Sequence, residues 1–104
     1  MRNSIVVEDI QGMRLREGID DAELREKIRG LAIGDFVKLT LLTRTGSYAG
    51  ETLLVRITRI RGSLFCGVLA ESPTCRGLSK LRVGSPVRFT TAHIHSVPKR
   101  QSKT

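Results

Sequence analysis

Two runs of alternating side chains broken by one glycine do most to limit what this chain can become. Residues 51 to 70 read ETLLVRITRIRGSLFCGVLA, rich in β-branched and apolar residues and interrupted at Arg61-Gly62. A two-residue loop carrying Gly suits the right-handed twist of paired strands. The pattern therefore predicts an antiparallel hairpin over about 52 to 70, with strands near 52 to 60 and 63 to 70. A turn at Arg61-Gly62 sets Thr58 opposite Phe65, Ile57 opposite Cys66, Arg56 opposite Gly67 and Val55 opposite Val68. Side chains alternate between faces with period two. Leu53, Val55, Ile57, Leu64, Cys66, Val68 and Ala70 are then expected on the core face, and Leu54, Arg56, Thr58, Phe65 and Leu69 on the other.

The 104 residues suit one domain with one core. Trp is absent and only three Phe and one Tyr are present, so Val, Ile and Leu must fill that core. Such residues in period-two runs favour strands. Apolar runs fall far short of the roughly 20 residues of a spanning helix. After Arg2 only Ile5, Val6 and Val7 precede the acidic pair Glu8 and Asp9, so no secretory leader is expected. A bacterial cytoplasmic location is expected.

Charge divides the chain. Residues 1 to 35 carry six basic and eight acidic side chains, whereas residues 36 to 104 carry twelve basic and two acidic, within a net charge of +8. The strand-rich part is thus the basic part, an electrostatic footprint for an anionic partner: nucleic acid first, an acidic protein second, a membrane surface third. The alternative is a charge that serves solubility alone.

Ahead of the hairpin, short strands are expected at Ile5 to Val7 and near Met13 to Leu15. Asp20 with Glu23 forms a capping box, and Ile19 with Leu24 a hydrophobic staple. These predict a helix over about 21 to 29, stopped by a left-handed Gly30. Leu24, Ile28 and Leu31 form one apolar stripe on it. A helix this short needs the sheet to dock on. Ile33-Gly34-Asp35-Phe36-Val37-Lys38-Leu39 then leads into a strand to about Leu42, and Val83-Gly84-Ser85-Pro86-Val87-Arg88-Phe89 repeats that grammar 50 residues later. The pair is either an internal repeat or one turn solution used twice. Thr43 to Gly50 and Glu71 to Lys80 are long connections, and residues 98 to 104 are expected as a disordered basic tail behind a domain of residues 1 to 97.

Gly34-Asp35-x-Val37-Lys38, Glu51-x-x-x-Val55, Gly67-x-Leu69-x-x-x-Pro73 and Gly84-x-x-Val87 resemble a group of small bacterial domains of unknown function. Their pattern is Gly-Asp-x-Val-Lys, Glu-x-x-Trp-Val, Gly-x-Leu-x-Asn-x-Pro and Gly-Asp-x-Val, and the likeness spans about residues 20 to 97. Leu54 stands where the group has Trp, and Ser85 where it has its second Asp. The resemblance implies a compact β-rich fold and no assigned activity, some members looking like parts of immunity or secretion-associated loci.

Cys66, Cys75, His93 and His95 are the soft ligands of the chain, but Cys-x8-Cys and His-x-His do not match common zinc modules. Both cysteines are expected reduced and metal-free, and both histidines as polar strand-end residues on one side of an extended segment. No phosphate loop, dinucleotide fingerprint or His-Glu-x-x-His occurs. No enzyme and no cofactor are expected. Lys38, Arg56 and Arg88 point outward from three predicted strands, with Phe36 and Phe65 among them, and single-strand binders combine cations with exposed aromatics in this way. The other reading has Phe65, Leu54 and Leu69 covered by the helix stripe.

The sequence therefore predicts a mostly β (α+β) fold, a small antiparallel β-barrel or strongly bent sheet with one α-helix in its N-terminal half. It is expected to act as a non-enzymatic binding module. The candidate nucleic-acid-binding residues are Lys38, Arg56, Phe65, Arg88, Lys99 and Arg100. The alternative is a protein-interaction or immunity-type module, with a patch near Tyr48.

Overall fold

The computed structural model describes residues 5–18, 22–43, 49–74, 78 and 80–98. Along the chain run β1 (Ile5–Val7), α1 (Ile10–Arg16), α2 (Ala22–Arg29), β2 (Phe36–Thr43), β3 (Ala49–Arg61), β4 (Leu64–Leu69), β5 (Pro86–Thr90), a 3-10 turn (Thr91–His93) and β6 (Ile94–Ser96). The strands form one antiparallel sheet in the order β1-β2-β3-β4-β5, with β6 also on β2. It curls into a nearly closed, barrel-like layer, as the alternating runs required. Val37, Leu39 and Leu41 of β2, Leu53, Val55 and Ile57 of β3, Phe65 and Leu69 of β4, and Phe89 of β5 line its inside. Leu78 and Ile94 complete that core. Each side chain so buried contributes about 1.5–3 kcal/mol.

The hairpin forms, but not in the expected register. Its two-residue loop is Gly62-Ser63, because Arg61 opposes Leu64. Gly62 takes φ +56, the positive value a type II′ turn requires at its first loop position. Moving the turn by one residue shifts the pairing by two near the tip, where Ile60 opposes Phe65 and Arg59 opposes Cys66. A bulge at Thr58 then restores one residue, and Ile57 opposes Gly67, Arg56 Val68 and Val55 Leu69. The faces of β4 are consequently reversed: Phe65, Gly67 and Leu69 are buried, while Leu64, Cys66 and Val68 look outward. Leu64, Cys66, Val68 and Ala70 are all apolar, so either parity gave a plausible core.

The expected strand near Met13 to Leu15 is instead α1. Asp9 is its N-cap, its Oδ1 accepting the Gly12 N–H at 2.9 Å. A Cβ on Gly12 would stand 2.7 Å from the Asp9 carboxylate, so this glycine admits the cap that starts the helix. There are thus two helices among the described residues where one was expected. The second runs as predicted over Ala22–Arg29, although Ile19, Asp20 and Asp21, the capping residues, lie outside the described ones. It ends at Gly30 without a left-handed residue: the Gly30 N–H donates to the Lys27 carbonyl and Leu31 to Ile28. Leu24, Ile28 and Leu31 are half-buried against the sheet core, the docking their spacing called for.

The two Gly-containing approaches are one turn built twice. The Ala32 N–H donates to Asp35 Oδ2 at 2.9 Å and the Arg82 N–H to Ser85 Oγ at 3.0 Å. Gly34, at φ +98, donates to the Ile57 carbonyl on β3, and Gly84, at φ +95, to the Leu69 carbonyl on β4. Ile57 and Leu69 return the bond to the Asp35 and Ser85 carbonyls. Each turn thereby clamps its following strand to one arm of the central hairpin, β2 to β3 and β5 to β4. The upstream turns match as well, Leu31 donating to Ile28 and Leu81 to Leu78.

Candidate nucleic-acid interface

The outer face of the sheet is built by register. Phe36, Arg56, Val68 and Pro86 form one rung across β2, β3, β4 and β5. Lys38 opposes Leu54 on one side of that rung. On the other side, toward the hairpin tip, come Arg59, Cys66 and Arg88, and then Arg61, Leu64 and Thr90. Lys38, Arg56, Arg59, Arg61 and Arg88 are all exposed. Among the described residues none of these five makes an ion pair. Their aliphatic neighbours Leu54, Cys66 and Val68 are half-buried between them, a surface on which long basic side chains lie along apolar ground with their heads in water.

Arg59 and Arg61 were missed by the sequence reading. The expected turn takes Arg61 into the loop, and strict alternation from Arg56 sends Arg59 inward and Ile60 outward. The bulge inverts this: with Thr58 inserted, Ile60 packs on the core beside Phe65 while Arg59 and Arg61 join Arg56 outside. The Thr58 hydroxyl donates to the Cys66 carbonyl at 3.2 Å and holds the irregular step. The signal available in the sequence was Thr-Arg-Ile-Arg itself, in which unbroken alternation would bury two arginines, an expensive arrangement without partners.

Phe65 does not belong to this surface. It is 4% exposed and stacks on Phe89, ring centroids 5.3 Å apart at 12°, because the shifted register turns it inward. No face is left for a base. Among the described residues Phe36, at 38% exposure, is the aromatic that reaches the outside, opposite Arg56 at the β2 end of that rung. Cys66 is likewise corrected, from the core face to a half-buried outward position between Arg59 and Arg88. Cys75, Lys99, Arg100 and Tyr48 lie outside the described residues.

The acids sit away from the arginines. Glu71 accepts the Leu54 N–H at 3.1 Å, beyond the Lys38 side of the Arg56 rung, and Glu51 holds the N–H and hydroxyl of Thr74 at 2.8 and 2.9 Å. Asp35 accepts the Ala32 N–H within its turn. The face therefore runs from an acidic margin to a basic hairpin tip.

His93 and His95 do not share a side, since Thr90 caps a 3-10 turn that breaks the expected extended segment. The His93 Nδ1 accepts the Thr90 N–H at 2.9 Å, and His95 Nδ1 lies 3.1 Å from Ser96 Oγ. Among the described residues no group of three His, Cys, Asp or Glu is placed to hold a metal ion. A groove of about 250 Å³ between α1, α2 and the 3-10 turn has an apolar floor of Ile10, Ile28 and Ile94 and a rim of Arg14, Arg25 and Arg29. All three arginines have partners there: Arg14 donates to the His95 carbonyl at 3.2 Å, Arg29 pairs with Glu26 at 3.0 Å, and Arg25 is also engaged. Among the described residues no helix is long and apolar enough to cross a membrane.

No protein-family model, curated protein or solved structure matches the chain. The functional reading rests on the geometry above.

Proposed function

We propose that this chain is a non-enzymatic binding module whose outer sheet face takes nucleic acid. The observation that carries the reading is the gathering of Lys38, Arg56, Arg59, Arg61 and Arg88 on one face, exposed and with no ion pair among the described residues. Unpaired cations on a surface whose carboxylates stand at its margin create a positive field, and a polyanion gains by releasing its counterions there. Arginine suits the role, since its planar fork meets phosphate oxygens in pairs. These are contacts that position a ligand without reading its sequence.

Titration of the intact chain with fluorescent oligonucleotides, single- and double-stranded, at low salt tests this. Binding is expected, and it should fade as salt rises with a slope of about 0.7 to 0.9 per phosphate contact. Lys38→Gln, Arg56→Gln and Arg88→Gln should each lower the slope by about one contact and leave any preference between sequences unchanged. No binding at low salt would overturn the proposal and leave the +8 charge as a solubility feature.

A further inference from the structure

The bulge at Thr58 does more than add cations to the face; it aligns three of them. Arg56, Arg59 and Arg61 stand opposite Val68, Cys66 and Leu64. Those partners follow one another at two-residue intervals along the regular strand β4. The three arginines are therefore evenly stepped, by about 6.6 Å each, despite unequal spacing in sequence. That step is close to the distance between successive phosphates along one nucleic-acid strand. Arg88 lies on the far side of Cys66, two strands from Arg59 and so about 10 Å away across the sheet.

Among the described residues the ladder offers bases little aromatic surface: its neighbours across β4 are Val68, Cys66 and Leu64, Phe65 and Phe89 are buried, and the exposed ring is that of Phe36, opposite Arg56. Single strands held without sequence preference draw much of their affinity from aromatic stacking. A duplex has already stacked and paired its bases, so its phosphates can be held without a stacking partner.

Resting on the nucleic-acid reading, we infer that the ligand is a double-stranded nucleic acid, with one backbone running along β3 over Arg56, Arg59 and Arg61. Arg88 then reaches toward the second backbone across a minor groove about 6 Å wide in B-form DNA. The aliphatic rung residues pack beneath the arginine stems and do not enter the stack.

The test compares the intact chain's affinity for a blunt duplex and for each of its component strands at matched length and salt, with DNA and RNA versions of the same sequence. The duplex is expected to bind tighter than its strands, and duplex DNA tighter than duplex RNA, whose wide A-form minor groove carries the second backbone away from Arg88. The double variant Arg59→Gln/Arg61→Gln, its fold checked by thermal melting, should lower the duplex salt slope by about 1.8. Lys27→Gln on α2, whose ammonium pairs with Glu23, should leave it unchanged. Single strands binding as tightly as the duplex would overturn this inference while leaving the nucleic-acid reading intact. A duplex slope that ignores Arg59 and Arg61 would do the same. Loss of all binding, duplex and single strand alike, would sink both.

Discussion

Phe65→Ala is the substitution on which fold and function separate most sharply. A base-stacking Phe65 loses binding on truncation and keeps the fold, whereas the buried ring seen here loses the fold. It is 4% exposed, its ring lies 5.3 Å from that of Phe89, and Ile60 packs on the same inner face. Truncating a buried Phe costs about 3–5 kcal/mol, combining lost transfer free energy with the cavity left behind. Part of that cost is the ring pair, worth about 0.5–1.5 kcal/mol beyond its buried area. For a domain of this size the loss is a large share of a total of about 5–15 kcal/mol. It corresponds to a fall in Tm of about 14–23 °C. Urea denaturation followed by circular dichroism measures it, with two companions. Phe65→Leu should recover much of the stability, and Cys66→Ala, on the outward face, should cost under about 1 kcal/mol. Equal costs for Phe65→Ala and Cys66→Ala would refute the register, as would a stable Phe65→Ala that no longer binds.

Other substitutions probe the bulge and the paired turns. Ile57→Ala should cost about 2–5 kcal/mol because Ile57 is fully buried. Thr58→Ala should cost about 0.5–1.5 kcal/mol, the value of its bond to the Cys66 carbonyl. Denaturation midpoints of the two variants check both. Asp35→Ala and Ser85→Ala each remove the oxygen that accepts a turn N–H, so each should lower stability by about 0.5–1.5 kcal/mol. The turns clamp different arms of the hairpin, and the double variant should show nearly additive losses in the same assay.

How far the sequence could be read turns on a few residues. Val37, Leu39, Leu53, Val55 and Ile57 reached the core because they are apolar while most of the residues alternating with them, Lys38, Thr40, Thr52, Arg56 and Thr58, are polar, and period two then leaves little choice. Beyond Gly62 that argument lost its footing. Leu64, Cys66 and Val68 are as apolar as Phe65 and Leu69, and Gly67 has no side chain to vote, so β4 looked equally sound either way out. The turn position decided its parity, and Arg61-Gly62 differs from Gly62-Ser63 by one residue. Thr58 is the second blind spot: a bulge follows from pairing between two strands, whereas alternation is read from one. The candidate site inherited both errors, gaining Phe65 and losing Arg61 to the loop through the first, and losing Arg59 through the second. Lys38, Arg56 and Arg88 were found because they lie on stretches where alternation holds. α1 escaped because Gly12 reads as a breaker, when its lack of a Cβ is what lets Asp9 cap the helix.

The central claim is that one outward face, completed by the Thr58 bulge, holds the phosphates. Nuclear magnetic resonance of the isotope-labelled intact chain, titrated with a short duplex at low salt, tests it residue by residue. Shifts are expected at the amides and guanidinium groups of Arg56, Arg59, Arg61 and Arg88, with Phe65 and Leu69 in the core little changed. Shifts confined instead to Arg14, Arg25 and Arg29 around the helix groove, with the sheet arginines silent, would contradict it.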